Sequence, residues 1–130
     1  IMANGTIAFD TLQTSGQITG TAKSVDTDFV VNGSARNWIK YNQSGTIAIN
    51  DSFNVASITD ETTGTTTVTF TSAMINASYS IKGQNSENAL HTQVVSANQA
   101  TSAYRQRTLD GGGSLTDDTA VYGDTHGDLA

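Results

Sequence analysis

Apolar side chains recur at every second position along most of this chain, the period of a strand with one face buried and one face wet. In "GTIAIN" (45–50) Ile47 and Ile49 share a face, with Thr46, Ala48 and Asn50 opposite. In "TTTVTFTS" (65–72) Val68 and Phe70 share a face, and Thr67, Thr69 and Thr71 take the other. "SYSIKG" places Tyr79 and Ile81 together. Phe53 and Val55 start a further strand, but Ile58 falls on the opposite parity, so a bulge or strand end is expected near Ala56–Ser57. Threonine suits this pattern because its branched Cβ favours extended backbone while its hydroxyl tolerates water.

The intervening "DETTG" supplies turn chemistry through Asp60 and Gly64, which predicts an antiparallel hairpin of 53–59 with 65–71. Further strands are expected at 5–10, 17–22, 28–31, 36–41, 45–50, 78–83, 90–95, 101–109 and 119–124. They are separated by "TSG", "VNGS", "NQSG", "GQNSEN", "SANQ" and "DGGGS". The stretch 87–109 has the Ala, Leu and Gln content of a helix. The alternation in "HTQVV" and "TSAYRQRT", with Asn98 and several Ser and Thr, favours strand. Many short strands at this spacing predict an all-β fold, an antiparallel β-sandwich of jelly-roll-like type. The first 35 residues carry fewer aromatics and read as an N-terminal connector; the sandwich domain is expected over 36–130. "NGTIAFD" and "SGTIAIN" are alike, but nothing beyond them aligns, so no repeat is inferred.

Composition sharpens the picture. At 130 residues this is one domain with a short extension. Thr, Ser, Asn and Gln make up about two-fifths of the chain, and apolar residues only 36%. So lean a core in so short a chain points to oligomerisation as the missing stabiliser. The formal charge of −6 and the absence of a basic stripe argue against nucleic-acid binding. No apolar run approaches a membrane span. The start "IMANGTIAFD" does not read as a signal peptide, and Ile before Met reads as a fragment or a processed start. With no cysteine, disulfides and thiolate metal sites are excluded, which suits a reducing compartment.

Catalytic constellations are weak, and no catalytic residue or cofactor is assigned. His91 and His126 lack a nucleophile in a recognisable elbow, and Asp117–Asp118 would point to opposite faces of a strand. Asp124, His126 and Asp128 alternate and could share one face, the arrangement of a divalent-cation site, against which stands a solvated acidic terminus. "DGGGSLTDD" lacks the Lys-Ser/Thr of a phosphate loop and reads as a flexible surface loop. The four Asn-x-Ser triplets are those of an Asn- and Ser-rich chain. Trp38 is flanked by Ile39 and Tyr41 of opposite parity, so it is either a core or subunit-interface tryptophan or a sugar-stacking platform. On a strand, Arg105 and Arg107 share one face and Tyr104 takes the other; these are anchors for a ligand or partners in intersubunit ion pairs. The polar loops 83–89, 96–100 and 110–118 are the expected contact surface. With the anchors, this makes Trp38, Asn85, Asn88, Gln99, Tyr104, Arg105 and Arg107 the candidate contact residues for a binding partner.

Residues 34–81 run through Trp38-Ile39, Gly45-Thr46-Ile47, Asp51-Ser52-Phe53-Asn54, Ser57-Ile58-Thr59-Asp60, Val68-Thr69-Phe70, Ala73-Met74 and Asn76-Ala77-Ser78-Tyr79. This phrase resembles a module recurring in virion proteins of tailed bacteriophages, often at the C-terminus of tail fibres and especially in marine phages. The Gly-Asp-Leu-Ala ending is similar too. The likeness is specific over 36–81 and looser beyond. It departs at Ile75, where the family often has Pro, and at Ile39-Lys40, where Val-Asn is usual. The resemblance implies a virion surface protein, a trimeric fibre whose distal β domain contacts the host cell. Its partners would be its own copies as a homotrimer, other tail proteins, and a host surface glycan or outer-membrane protein, with neither nucleic acid nor membrane insertion. No functional residue carries over, because the phrase marks structure. A head fibre, capsid decoration or collar protein is the alternative expectation; a glycan depolymerase is disfavoured.

Overall fold

The computed structural model describes residues 17–19, 24–26, 30, 33–86 and 91–130. Two short strands, β1 (Gln17–Thr19) and β2 (Ser24–Asp26), pair antiparallel in the segment expected to be a connector. The strands expected at 5–10 and, apart from Val30, at 28–31 lie outside the described residues. Eight strands follow: β3 (Asn37–Asn42), β4 (Ala48–Phe53), β5 (Val55–Thr62), β6 (Thr65–Phe70), β7 (Ser80–Asn85), β8 (His91–Val94), β9 (Ala103–Leu109) and β10 (Val121–His126). Between β8 and β9 the ambiguous stretch holds a single 3-10 turn, Ser96–Asn98.

These eight strands form two antiparallel sheets. Sheet I has the order β4-β3-β10-β7, and sheet II the order β5-β6-β9-β8. Their inner faces pack together as an all-β sandwich. Hairpins β3–β4 and β5–β6 and the pair β8–β9 stay within one sheet, whereas β4–β5, β6–β7, β7–β8 and β9–β10 cross between sheets.

Alternation does the sorting. On β3, Asn37, Ile39 and Tyr41 are buried while Trp38 and Lys40 face out. On β6, Thr66, Val68 and Phe70 point inward, and on β9 Tyr104, Gln106 and Thr108 do so. The Thr row of β6 faces out as its parity requires, although Thr67 and Thr69 are half-buried and Thr65 is buried. Ile39, Tyr41, Val68, Phe70, Met74, Tyr79, Tyr104 and Val121 make the apolar core. Phe70 bridges two rings of the core, edge-on to Tyr79 with ring centroids 5.6 Å apart and tilted against Tyr104 at 5.8 Å. Burying such rings contributes about 1.5–3 kcal/mol each.

The bulge expected near Ala56–Ser57 is present: the β5–β6 register shifts between Val55 and Ser57. That one extra residue lets both Val55 and Ile58 pack against the core despite their mismatched parity.

Asn54 makes the corner. β4 ends at Phe53 on the edge of sheet I, and β5 begins at Val55 on the edge of sheet II. Asn54 has φ +55°, the left-handed region that Asn tolerates better than other side-chain-bearing residues. Its amide donates to Arg36 O (3.0 Å) and Ser72 O (3.1 Å), and its Oδ1 accepts from Ser72 N (2.7 Å). The Asp-Ser-Phe-Asn phrase is therefore the end of one strand plus the residue that turns the chain from one sheet to the other.

Close approach of the sheets depends on Gly83 and Gly123, which face each other across β7 and β10. A Cβ on Gly123 would lie 2.5 Å from the Tyr104 hydroxyl and 3.0 Å from Gln106 Oε1, and one on Gly83 would meet the Thr92 methyl.

Candidate functional site: two poles and two outer faces

The strand directions gather the connections at two ends. At the turn pole lie the β3–β4 turn (43–47), the β5–β6 turn at Thr63–Gly64, Ser86 after β7, and the β9–β10 connection (110–120). At the terminal pole lie Arg36 leading into β3, the corner at Asn54, the segments 71–79 and 95–102, and the C-terminal residues. Arg36 Nε donates to Gly127 O (2.9 Å), Ala130 N to Ala73 O (2.9 Å) and Ile75 N to Asp128 O (2.9 Å). The lead into β3 at Arg36 and the C-terminal residues are thus tied together at the same pole.

The turn pole is held by polar groups. Gly64 has φ +65°, and a Cβ there would meet Thr116 O at 2.6 Å and Thr108 O at 2.7 Å. Only glycine fits, because the 110–118 loop folds back over the hairpin. Gly64 N donates to Asp117 Oδ1 (2.6 Å), and Thr108 N to Gly64 O (2.7 Å). The "DGGGS" segment is exposed, as a surface loop should be. It is closed around Asp110, whose Oδ1 accepts from Gly112 N (2.9 Å) and Ser114 N (2.8 Å).

Beneath these turns the interior is polar too. Gln43 Nε2 donates to Thr66 Oγ1 (3.1 Å), Thr108 Oγ1 donates to Gln43 Oε1 (2.8 Å), and Asn85 Nδ2 reaches Thr108 Oγ1 (3.2 Å). Thr92 Oγ1 completes the chain on Asn85 Oδ1. Asp118 is closed off from water at the rim. Burial alone would push its carboxyl up, but bonds from Ser86 Oγ (2.8 Å), Ser86 N (2.9 Å) and the backbone at Ala120 and Thr119 outweigh it and hold it below the ordinary value. From the turn pole to the terminal pole, β6 runs Thr66, Val68, Phe70 and β9 runs Thr108, Gln106, Tyr104, so the interior grades from hydrogen-bonded to apolar.

The outer face of sheet II is hydroxylic and charged. Thr67 and Arg105 stand opposite each other, as do Thr65 and Arg107, and Gln93 and Arg107. Arg105 Nη2 meets Glu61 Oε1 at 2.9 Å, and its Nε donates to Thr67 Oγ1 (3.2 Å). The Thr67 hydroxyl (2.6 Å), ahead of the Arg105 charge, holds Glu61 below the usual carboxylate range. Arg107 lines a shallow hollow of about 210 Å³ with Gln93 and Ser96.

The outer face of sheet I is different. Across β4-β3-β10-β7 one row reads Phe53, Trp38, Asp124, Lys82 and the next reads Asp51, Lys40, Tyr122, Gln84. Phe53 is 54% exposed, Trp38 40% and Tyr122 38%. Lys40 Nζ sits 5.7 Å above the Tyr122 ring. His126 Nε2 lies 3.0 Å from Asp124 Oδ2.

Several residue expectations are corrected by this placement. Tyr104 is fully buried against Phe70 and cannot touch a receptor. Asn85 is half-buried with its side chain committed to Thr108 and Thr92. Gln99 donates to Tyr79 O (2.7 Å) at the terminal pole, so the 96–100 loop lies at the opposite end from 110–118. Asn88 lies outside the described residues. Trp38 is not in the core of the chain, which leaves the interface and platform readings. Arg105 and Arg107 do share a face, on sheet II, with Tyr104 on the other. Among the described residues no three acidic or histidine groups converge, and Asp128 does not join the Asp124–His126 pair. Two aromatics of this face were not among the expected contact residues: Phe53, opposite Trp38, and Tyr122, one diagonal away. The parity of Tyr122 within "AVYGDTH" was the available signal, but it becomes informative only once β10 is known to pair with β3.

Comparison with protein-family models, with curated proteins and with solved structures returns no match.

Proposed function

We propose that this chain is a non-catalytic binding domain of a tailed-bacteriophage virion: the distal domain of a tail fibre, built as a homotrimer, that attaches the particle to its host cell. The observation that carries the reading is the polarity of the sandwich. Among the described residues, the lead into β3 at Arg36 and the C-terminal residues lie at one pole, and the opposite pole carries a set of polar, hydrogen-bonded turns. A tethered domain presents the pole away from its tether. Recognition loops on a rigid sheet scaffold are the usual way such a domain is used. The phrase over 36–81 supports the same reading, since several of its residues are ones the sandwich depends on: the corner Asn54, the hairpin bulge after Val55, and the apolar plug of Met74 and Tyr79.

The contact surface is assigned to the turn pole, residues 44–47 and 110–117 together with Ser86, and away from 96–100. Its exposed hydroxyls, amides and carboxylates suit a host glycan or the polar loops of an outer-membrane protein. Weak single contacts gain from having three copies at one tip. The full chain, fluorescently labelled and confirmed as an oligomer, should adsorb saturably to host cells and block infection. Exchanging Ser114 and Leu115 for other residues should weaken adsorption without changing the circular dichroism spectrum. An oligomer that fails to adsorb overturns the receptor reading, and antibody labelling at the capsid instead of the tail overturns its placement.

A further inference from the structure

The two outer faces of the sandwich are chemically unlike. Sheet II shows threonines, Arg105, Arg107 and Gln93 to water, with no large aromatic among them. Sheet I shows Phe53, Trp38 and Tyr122 stepping across three neighbouring strands, β4, β3 and β10, each more than a third exposed. Exposed aromatics grouped on a flat face are unusual on a surface otherwise so polar, and aromatic side chains are the commonest anchors of protein interfaces.

We infer that the outer face of sheet I is the surface through which copies of this chain associate, with Trp38 at its centre. Charge argues for a second copy over another occupant. The chain carries a formal −6, so two copies repel over most of their surfaces. The two rows of this face hold Lys40 and Lys82 against Asp51 and Asp124, a formal sum of zero. A face that is locally neutral and bears both signs at neighbouring positions can complement itself, whereas a partner of one dominant charge would be met by a face of the other. Trp38 stands beside Phe53 and Asp124 in its row, and Tyr122 beside Lys40 and Gln84, so apolar anchors are rimmed by polar groups. The inference rests on the oligomeric part of the proposed function and not on receptor recognition; it removes Trp38 from the receptor contacts.

Trp38 is the chain's one tryptophan, so its fluorescence reports this face alone. The full chain is followed by sedimentation and by acrylamide quenching over a wide dilution series. The expected result is a mass that is a small multiple of 13.6 kDa, with Trp38 shielded in the multimer and quenchable on dissociation. Trp38→Ser with Tyr122→Ser should raise the concentration for half-dissociation by at least about 30-fold with the spectrum of the fold unchanged. Thr59→Lys, on the exposed outer side of sheet II, should leave the mass as it is. If the double variant does not fold, quenching of the unaltered chain decides. A monomer at every concentration overturns the inference, as does a multimer whose Trp38 stays freely quenchable. So does a shielded Trp38 in the monomer, which would mean that the chain's own N-terminal residues cover it. A monomer whose Trp38 responds to soluble oligosaccharide also overturns it, in favour of a sugar platform. A multimer that ignores host cells fails the receptor reading alone, and a monomer that adsorbs fails this inference together with the homotrimer while leaving receptor recognition standing.

Discussion

Asn54 offers the sharpest single test of how the sandwich is built, because two separable terms meet in one side chain. Its backbone is left-handed at φ +55°, and its amide makes three hydrogen bonds that join the start of β3 to the segment after β6. Each such bond contributes about 0.5–1.5 kcal/mol net, and at this partly exposed corner the lower half of that range applies, giving roughly 1.5–3 kcal/mol for the three. A Cβ in the left-handed region without a local side-chain bond costs about 1 kcal/mol more. Asn54→Gly removes the bonds and keeps the conformation easy, so it should lose roughly 1.5–3 kcal/mol. Asn54→Ala removes the bonds and strains the backbone, so it should lose about 1 kcal/mol beyond that. Asn54→Asp keeps an acceptor for Ser72 N but turns a carboxylate toward the carbonyls of Arg36 and Ser72, and should be no better than alanine. Urea unfolding followed by Trp38 fluorescence, at one fixed protein concentration so that association does not confuse the ranking, reads all three. Thermal midpoints should fall by about 4 °C per kcal/mol in a domain of this size. A glycine variant within about 0.5 kcal/mol of the parent would refute the bonding argument. An alanine variant as stable as the glycine one would refute the conformational argument.

Three further outcomes follow from the interior. Gly123→Ala should destabilise by about 1–3 kcal/mol through overpacking against the Tyr104 hydroxyl, and Tyr104→Phe in the same chain should recover part of the loss, because that buried hydroxyl has no hydrogen-bond partner among the described residues. The Asp118 carboxyl is held below its ordinary value, so it stabilises the fold above the unfolded-state value near 3.8 and that contribution fades as pH falls through the lower folded value. Asp118→Asn should therefore be less stable at pH 7 but lose less on going from pH 5 to pH 2, as read by urea midpoints. Burial pushes the phenols of Tyr41 and Tyr104 well above 10 and that of Tyr79 up to about 12. Their burial therefore stabilises the fold fully below pH 10 and is lost as pH climbs toward the folded values. Absorbance at 295 nm should show these three phenols ionising only together with unfolding, and early titration of Tyr104 in a folded chain would contradict its burial.

What could be read from the chain was what alternation encodes. Period-two patterning located the eight strands of the sandwich to within a few residues, and the mismatched parity of Val55 and Ile58 located the bulge between them. Alternation says nothing of which strands pair. Only the pairing of β10 with β3 brings Tyr122 beside Lys40 and one diagonal from Trp38. Only the pairing of β9 with β6 buries Gln106 and Thr108, polar residues that composition would place at the surface. Asn54 was visible as part of a phrase, but its role depends on Arg36 and Ser72, each 18 residues away in sequence. Loop 96–100 looked equivalent to 110–118 for the same reason: polarity of sequence does not tell at which end of a sandwich a connection falls.

The grading of the interior should give the two ends of this fold different tolerance for substitution. At the terminal pole, Met74, Phe70, Tyr79 and Tyr104 form a contiguous apolar plug, and removing Met74, 1% exposed, leaves a cavity that its neighbours cannot fill. Met74→Ala should cost about 2–5 kcal/mol. At the turn pole the loop 110–118 is fastened by backbone and carboxylate bonds from Asp110, Asp117 and Asp118, none of which depends on the side chains of Ser114 or Leu115, both exposed. Ser114→Ala with Leu115→Ser should stay within about 0.5 kcal/mol of the parent. A recognition surface under pressure to change needs this arrangement: anchors supplied by a few acidic side chains and the main chain, and the remaining side chains free to be exchanged. If the paired loop substitutions destabilise the domain as much as Met74→Ala does, the turn pole is part of the core, and its suitability as a variable contact surface fails with it.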